Sequence, residues 1–232
     1  MPAAPAPSIL PPPAPDSRSA SEPRHAVDAL LKNPARLANA VANREALGTA
    51  ASQLLAAGLV GHAVFGLAFG LFAGWPVAVM DALKVPLVAL ASLLLCFPSL
   101  YVFACVAGIP LSLSQAVVLG SACFAMIGLL LVALAPVAWL FAVSTASAAF
   151  VVLLVFLLWL IAIGFAARFV DKLKVVPLFQ RQAGIKLWFL IFMLVTLQMT
   201  TCLRPMLAQP TEGWRTPPKQ FFLSHFADAL GD

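Results

Sequence analysis

Residues 116–167 read AVVLGSACFAMIGLLLVALAPVAWLFAVSTASAAFVVLLVFLLWLIAIGFAA, and this stretch decides the fold. Its 52 residues contain no Asp, Glu, Lys, Arg or His. One continuous helix of that length would measure about 78 Å, against about 30 Å for the hydrocarbon core of a bilayer. The stretch therefore reads as two membrane spans. The one polar cluster, Ser144-Thr145-Ala146-Ser147, marks the turn, with spans at residues 116–140 and 148–167. Barrel strands would alternate apolar and polar positions. Residues 151–163 are apolar throughout, so an all-α architecture is expected.

Working toward the N-terminus, the apolar character continues back to Ala51, and between residues 51 and 167 only Asp81 and Lys84 carry full charge. Two further spans fit, at residues 51–72 and 84–106. A turn at Gly74-Trp75-Pro76 runs on to Asp81, and Trp75 suits an interfacial anchor. Pro98 lacks a backbone donor and crowds the preceding turn, so it is expected to kink the second span. Gly108-Ile109-Pro110 forms a tight connection edged by Ser112, Ser114 and Gln115. The whole chain is 62% hydrophobic and 10% charged, with a mean hydropathy of +0.98. Soluble domains carry about 25% charged residues, so a soluble fold is excluded.

Toward the C-terminus, Arg168, Lys172, Lys174, Arg181 and Lys186 stand against Asp171 alone. A short fifth span at residues 187–202 follows and ends at Arg204-Pro205. Basic loops stay on the cytoplasmic side. Counting back four spans puts the N-terminus there too, in agreement with Arg18, Arg24, Lys32, Arg36 and Arg44. Residues 74–82, without Lys or Arg, fall outside. The division expected is a disordered Pro/Ala-rich tail at 1–23, an amphipathic interfacial helix within 24–48, a transmembrane bundle of about five spans at 49–206, and an extracytoplasmic tail at 207–232. The interfacial helix is centred on residues 34–45, with Pro34 at its start. The last tail places Phe221, Phe222, Leu223, Phe226 and Leu230 near helical spacing. Residues 1–14 lack the basic and apolar regions of a signal peptide, so the first span is expected to direct insertion.

Few polar groups sit where a bilayer would make them costly, and these are the candidate sites. Asp81 and Lys84, three apart, would share a helix face and pair at the entrance to the second span. His62 lies in the middle of the first span and is expected to hydrogen-bond a neighbouring helix. Gly66, Gly70 and Gly74 are spaced for close helix approach, in or beyond the same span. Pro98 and Ser99 mark the kink. Gln198, Arg204 and Pro205 form a polar exit from the fifth span, where the Arg204 fork could hold a lipid phosphate or a partner's carboxylate, or snorkel to the interface. Cys96, Cys105, Cys123 and Cys202 form no CxxC pair and read as small buried hydrophobes. No ligand set for a metal or cofactor assembles, and none is expected.

Two regions carry a family resemblance. One is Lys84-Val85-Pro86 through Cys96-Phe97-Pro98-Ser99-Leu100-Tyr101-Val102-Phe103, with Gly108, Leu113 and Gln115. The other is Gln198-Met199-Thr200-Thr201-Cys202-Leu203-Arg204-Pro205-Met206, then Pro210 and Phe221-Phe222. Together they cover about a third of the chain. The chain resembles a family of uncharacterised bacterial polytopic membrane proteins with a Cys-x-Pro-Ser-Leu-Tyr segment and a Gln-Met…Leu-Arg-Pro exit. Met206 stands where that family more often has an aromatic residue. The resemblance implies that Pro98-Ser99 lies in a helix entering a short loop and that the Arg-Pro motif closes the last span. It brings no chemistry with it.

No HExxH, GxSxG, P-loop, CxxCH or GxGxxG motif occurs, and no enzymatic activity is expected. The basic excess of +5 is a topology signal rather than a nucleic-acid site. The reading is a multi-pass subunit, scaffold or assembly factor of a larger complex in a bacterial inner membrane. Its N-terminus would be cytoplasmic and its C-terminus periplasmic. Its partners would be lipids and other integral subunits or copies of itself, meeting it through the glycines of the first span. The alternative is a homo-oligomeric channel or small-solute transporter with Ser112, Ser114, Gln115, Ser144, Thr145 and Ser147 at its mouths. A lipid-modifying enzyme is a distant third.

Overall fold

A computed structural model describes residues 26–145, 148–173 and 183–202. The described residues form an all-α bundle. Two short helices, α1 (Ala26–Lys32) and α2 (Pro34–Ala42), precede five long ones: α3 (Leu47–Gly70), α4 (Trp75–Val106), α5 (Leu113–Ser144), α6 (Ala148–Lys172) and α7 (Ala183–Cys202). A single 3₁₀ turn, Leu71–Ala73, extends α3. Four segments are long and apolar enough to cross a membrane: Leu47–Ala73, Trp75–Val106, Leu113–Phe141 and Leu153–Lys172. The uninterrupted apolar part of α7, Leu187–Met199, is shorter than these. The tail at 1–23, the basic loop from Lys174 to Gln182 and the aromatic tail segment lie outside the described residues.

Hydrophobic burial does little to hold helices together in lipid, so they must associate by close packing. Helix α3 is the centre of that packing. Its Gly58 and Gly61 face α5, where a Cβ at Gly61 would lie 2.5 Å from the Gly128 carbonyl oxygen. One turn and more further on, Gly66 and Gly70 face α4. A Cβ at Gly66 would lie 2.4 Å from the Asp81 carbonyl oxygen, and one at Gly70 would lie 2.5 Å from the Ala78 Cα. No side chain larger than hydrogen fits at these contacts. The matched positions show that α3 runs parallel to α5 and antiparallel to α4. Helix α7 lies antiparallel to α4, with Gly184 against the Phe103 backbone.

Two features depart from the sequence expectation near the α3–α4 junction. The turn there is a single residue, Gly74, whose φ of +105° favours glycine. Helix α4 begins at once with Trp75, nine residues before the expected start. Pro76 explains this: in the first helical turn its missing N–H costs nothing and its fixed φ favours the helix. Asp81 and Lys84 therefore lie within α4 and not at its entrance. The helix then runs through Pro86 and Pro98 to Val106.

The expected surface helix is also different. The segment forms two helices, and their apolar sides rest on the bundle. Leu30 is fully buried, and Leu37, Ala38 and Val41 line a small cleft with Val118, Leu119 and Ala122 of α5 and Phe169 of α6. An apolar face that finds its own bundle needs no lipid. Two glutamines fix the arrangement. Gln53 of α3 accepts from the Ala26 N–H at 2.8 Å, and Gln115 of α5 donates to the Val41 carbonyl at 2.8 Å.

The ends of α2 and α4 use the same cap with different residues. At α4, Gly108 N–H bonds the Cys105 carbonyl and Ile109 N–H bonds the Ala104 carbonyl, with Gly108 left-handed at φ +76°. This is the Schellman arrangement. At α2, Arg44 N–H bonds Val41 and Glu45 N–H bonds Ala40, but the left-handed position is Arg44, at φ +61°. A side chain there costs about 1 kcal/mol. Arg44→Gly should stabilise the folded protein by about 1 kcal/mol, read as a higher unfolding midpoint in detergent. Gly61→Ala should destabilise it by about 1–3 kcal/mol in the same assay, because its methyl group would meet backbone that cannot swing away.

Candidate functional site

Most polar side chains of the long helices are satisfied locally. Ser92 bonds the Val88 carbonyl, Ser121 the Val117 carbonyl, Ser144 the Leu140 carbonyl and Thr196 the Phe192 carbonyl. Each reaches back one turn along its own helix. Ser112 and Gln115 form a capping box at the start of α5. The Ser112 N–H donates to Gln115 Oε1 at 2.8 Å, and the Gln115 N–H donates to Ser112 Oγ at 3.4 Å. These polar groups of the expected channel mouth are already engaged as helix caps and tethers.

Two polar groups stand apart. His62 is fully buried between α3, α5 and α6. Its ring stacks on Phe124 at 4.6 Å and tilts against Trp159 at 5.5 Å. Nδ1 lies 2.7 Å from the Gly58 carbonyl of its own helix, not of a neighbouring one as the sequence suggested. Gly58 leaves room beside α5 for the ring to fold back. A carbonyl only accepts, so Nδ1 carries the proton and Nε2 presents a lone pair. Nε2 is enclosed and has no hydrogen-bond partner.

Asp81 is the second. It is also fully buried, on the side of α4 that faces Gly66 and Gly70. Neither carboxyl oxygen has a hydrogen-bond partner. The expected pair with Lys84 does not form: no ion pair joins them within 4 Å, whereas Asp28 and Lys32 pair on the exposed side of α1 at 2.7 Å. Asp81 is buried in the seam while Lys84, one turn on, is half-exposed, so the ammonium stays beyond ion-pair distance.

The other candidate residues divide by place. Gly66 and Gly70 are buried against α4 and are not open to a partner. Helix α4, tied by one residue to α3, reaches that glycine face first. Gly74 makes the turn. Pro98 is exposed on α4, and Ser99 donates to the Cys96 carbonyl at 2.7 Å. Gln198 is half-buried near the end of α7, and Arg204 and Pro205 lie outside the described residues. Among the described residues, Cys96, Cys105 and Cys123 are free thiols, and no three His, Cys, Asp or Glu residues gather as metal ligands.

One residue absent from the sequence reading ties α7 to the bundle. Trp188 is fully buried, stacks on Phe192 at 5.3 Å, and donates its indole N–H to the Cys96 carbonyl at 2.8 Å. That carbonyl sits two residues before Pro98 and accepts from both Ser99 and Trp188. A tryptophan inside an apolar helix, opposite a proline-containing one, is the available signal. No protein-family model matches the chain, and comparisons with curated proteins and solved structures give no match.

Trp188→Phe keeps the ring and removes the donor. It should cost about 1 kcal/mol, whereas Trp188→Ala should cost about 3–5 kcal/mol. Thermal unfolding in detergent, with cysteine crosslinking between α4 and α7, would measure both.

Proposed function

We propose that the chain is a structural subunit of a larger assembly in a bacterial inner membrane, acting as scaffold or assembly factor through its outward helix faces. The observation that carries this reading is the outer side of α6. Phe150, Leu153, Leu157, Ile161 and Phe165 form a continuous exposed stripe at i, i+3 and i+4 spacing. The glycines of α3 are consumed inside the chain, so lateral contact falls to this stripe, with Gly164 lying open beside it and lipid covering what a partner does not.

The cytoplasmic placement of the N-terminus rests on charge. Helix α2 sits beside Phe169 and Leu173, where α6 ends. Lys32, Arg36 and Arg44 therefore share one end of the bundle with Arg168 and Lys172, as the positive-inside rule requires of a single cytoplasmic side. A full crossing by α7 would carry the C-terminus to the periplasm.

The channel alternative is weaker because Ser112, Gln115 and Ser144 are engaged in caps and back-bonds. Photo-crosslinking residues at Leu157 and Ile161 should capture a second polypeptide in native membranes, and gentle solubilisation should retain it. Lipid adducts alone, with a monomer after purification, would overturn the scaffold reading. Solute flux in liposomes containing the purified protein would favour the channel.

A further inference from the structure

The seam between α3 and α4 holds a carboxyl group in a place built for none. An ionised carboxylate has about four acceptor sites to satisfy. Asp81 satisfies none of them: both oxygens are enclosed and have no hydrogen-bond partner. Facing it, α3 offers Gly66 and Gly70, which have no side chain to donate. A Cβ added at Gly70 would lie 3.1 Å from Asp81 Oδ2, and the same atom would lie 2.5 Å from the Ala78 Cα. The packing at this point therefore leaves little room for a water molecule. An unpaired charge in such surroundings is costly enough that the group takes up a proton instead.

The charged and titratable groups around the seam are few. Lys84 is on α4's own next turn, close enough for its charge to be felt at Asp81 but not within ion-pair distance of it. His62 lies on α3 one turn below Gly66, with Nδ1 committed to Gly58. The turn Leu71–Ala73 carries no titratable group. Helix α5 has no acidic or basic residue, and α7 has only Lys186, two residues after the Gly184 that meets Phe103.

We propose that Asp81 is a proton-binding site that holds its proton while α3 and α4 are packed and opens their seam when it releases it. The neutral acid fits the closed contact. Its O–H needs a single acceptor, and a carbonyl one turn back on a helix can serve, as it does for Ser92. The anion does not fit, because its enclosed oxygens need water that the closed contact with Gly66 and Gly70 leaves no room for, and admitting it requires α4 to move off the glycine face. The ligand is the proton, and the moving part is the first two turns of α4 with the Gly74 turn. The site lies about 9 Å along α4 from its start, so a small separation at that end exposes it.

Infrared difference spectroscopy of the full chain in lipid nanodiscs, stepped in pH, should show a protonated carboxylic acid band that disappears as pH rises. The band should be absent in Asp81→Asn and present in Asp28→Asn and Asp171→Asn. Amide exchange across residues 70–78, corrected for its intrinsic pH dependence, should lose protection about tenfold per pH unit as the proton is released. In Asp81→Asn that protection should not change with pH. If Asp81→Asn does not fold, ¹³C-aspartate labelling of the unaltered chain should shift the band and leave its titration intact. A folded bundle with no such band, a band that survives Asp81→Asn or ignores the label, or a band that titrates while protection of 70–78 stays level would each overturn the proposal.

Discussion

The structure depends on backbone meeting backbone across α3. In water, a helix face of glycines would be a poor interface because it buries little apolar area. In lipid the comparison changes, since apolar side chains gain little by leaving one hydrocarbon for another. What remains is the dispersion energy of close contact, which falls steeply with each added ångström. Gly58, Gly61, Gly66, Gly70 and Gly128 remove the atoms that would hold the helices apart. Helix α3 can therefore contact α5 on one side and α4 on the other. Everything else is arranged around that three-helix unit: α7 lies on α4, α6 lies on α5, and α1 and α2 close one end.

The closing elements are polar, where the central unit is apolar. Gln53, Gln115 and Trp188 each spend one side-chain hydrogen bond on a backbone group from a distant part of the chain. The backbone groups they meet are the first N–H of α1, a late carbonyl of α2, and a carbonyl two residues before Pro98 of α4. This division of labour fits the medium. Between spans, packing is cheap and polar bonds are dangerous. At the start of α1 the Ala26 N–H has no partner within its helix, and Gln53 meets it; the Val41 and Cys96 carbonyls take a second donor on their free lone pair.

The fold class was legible because lipid imposes a simple rule on composition. A run of 52 residues without charge admits no soluble reading, and the small polar cluster at Ser144–Ser147 was enough to divide it. The boundaries were harder where one residue decides them. Gly74-Trp75-Pro76 looked like a loop, and only the positive φ at Gly74 shows that one residue makes the turn. The glycines were recognised as packing positions, but sequence alone does not say whether the facing surface belongs to this chain or another. His62 and Asp81 were singled out by polarity in an apolar context, yet their partners were misjudged. Pairing by spacing along one helix assumes that both side chains are free to meet. Asp81 is instead held by tertiary packing against α3. Trp188 stood out as a tryptophan inside an apolar helix, but its partner was not legible, because the Cys96 carbonyl is 92 positions away.

The single-residue turn at Gly74 has a consequence for how the chain enters a membrane. Helix α4 taken alone would present Asp81 to lipid, at a depth where a bare carboxylate raises the cost of insertion by about 2.5–3.5 kcal/mol at most. Helix α3 alone would present a glycine groove with nothing in it. Joined by one residue, the two emerge from synthesis already adjacent, so each covers the defect of the other before either meets bulk lipid. The pair is a helical hairpin closed by one residue. The shortness of its connection keeps the buried carboxyl of α4 covered by the glycine face of α3.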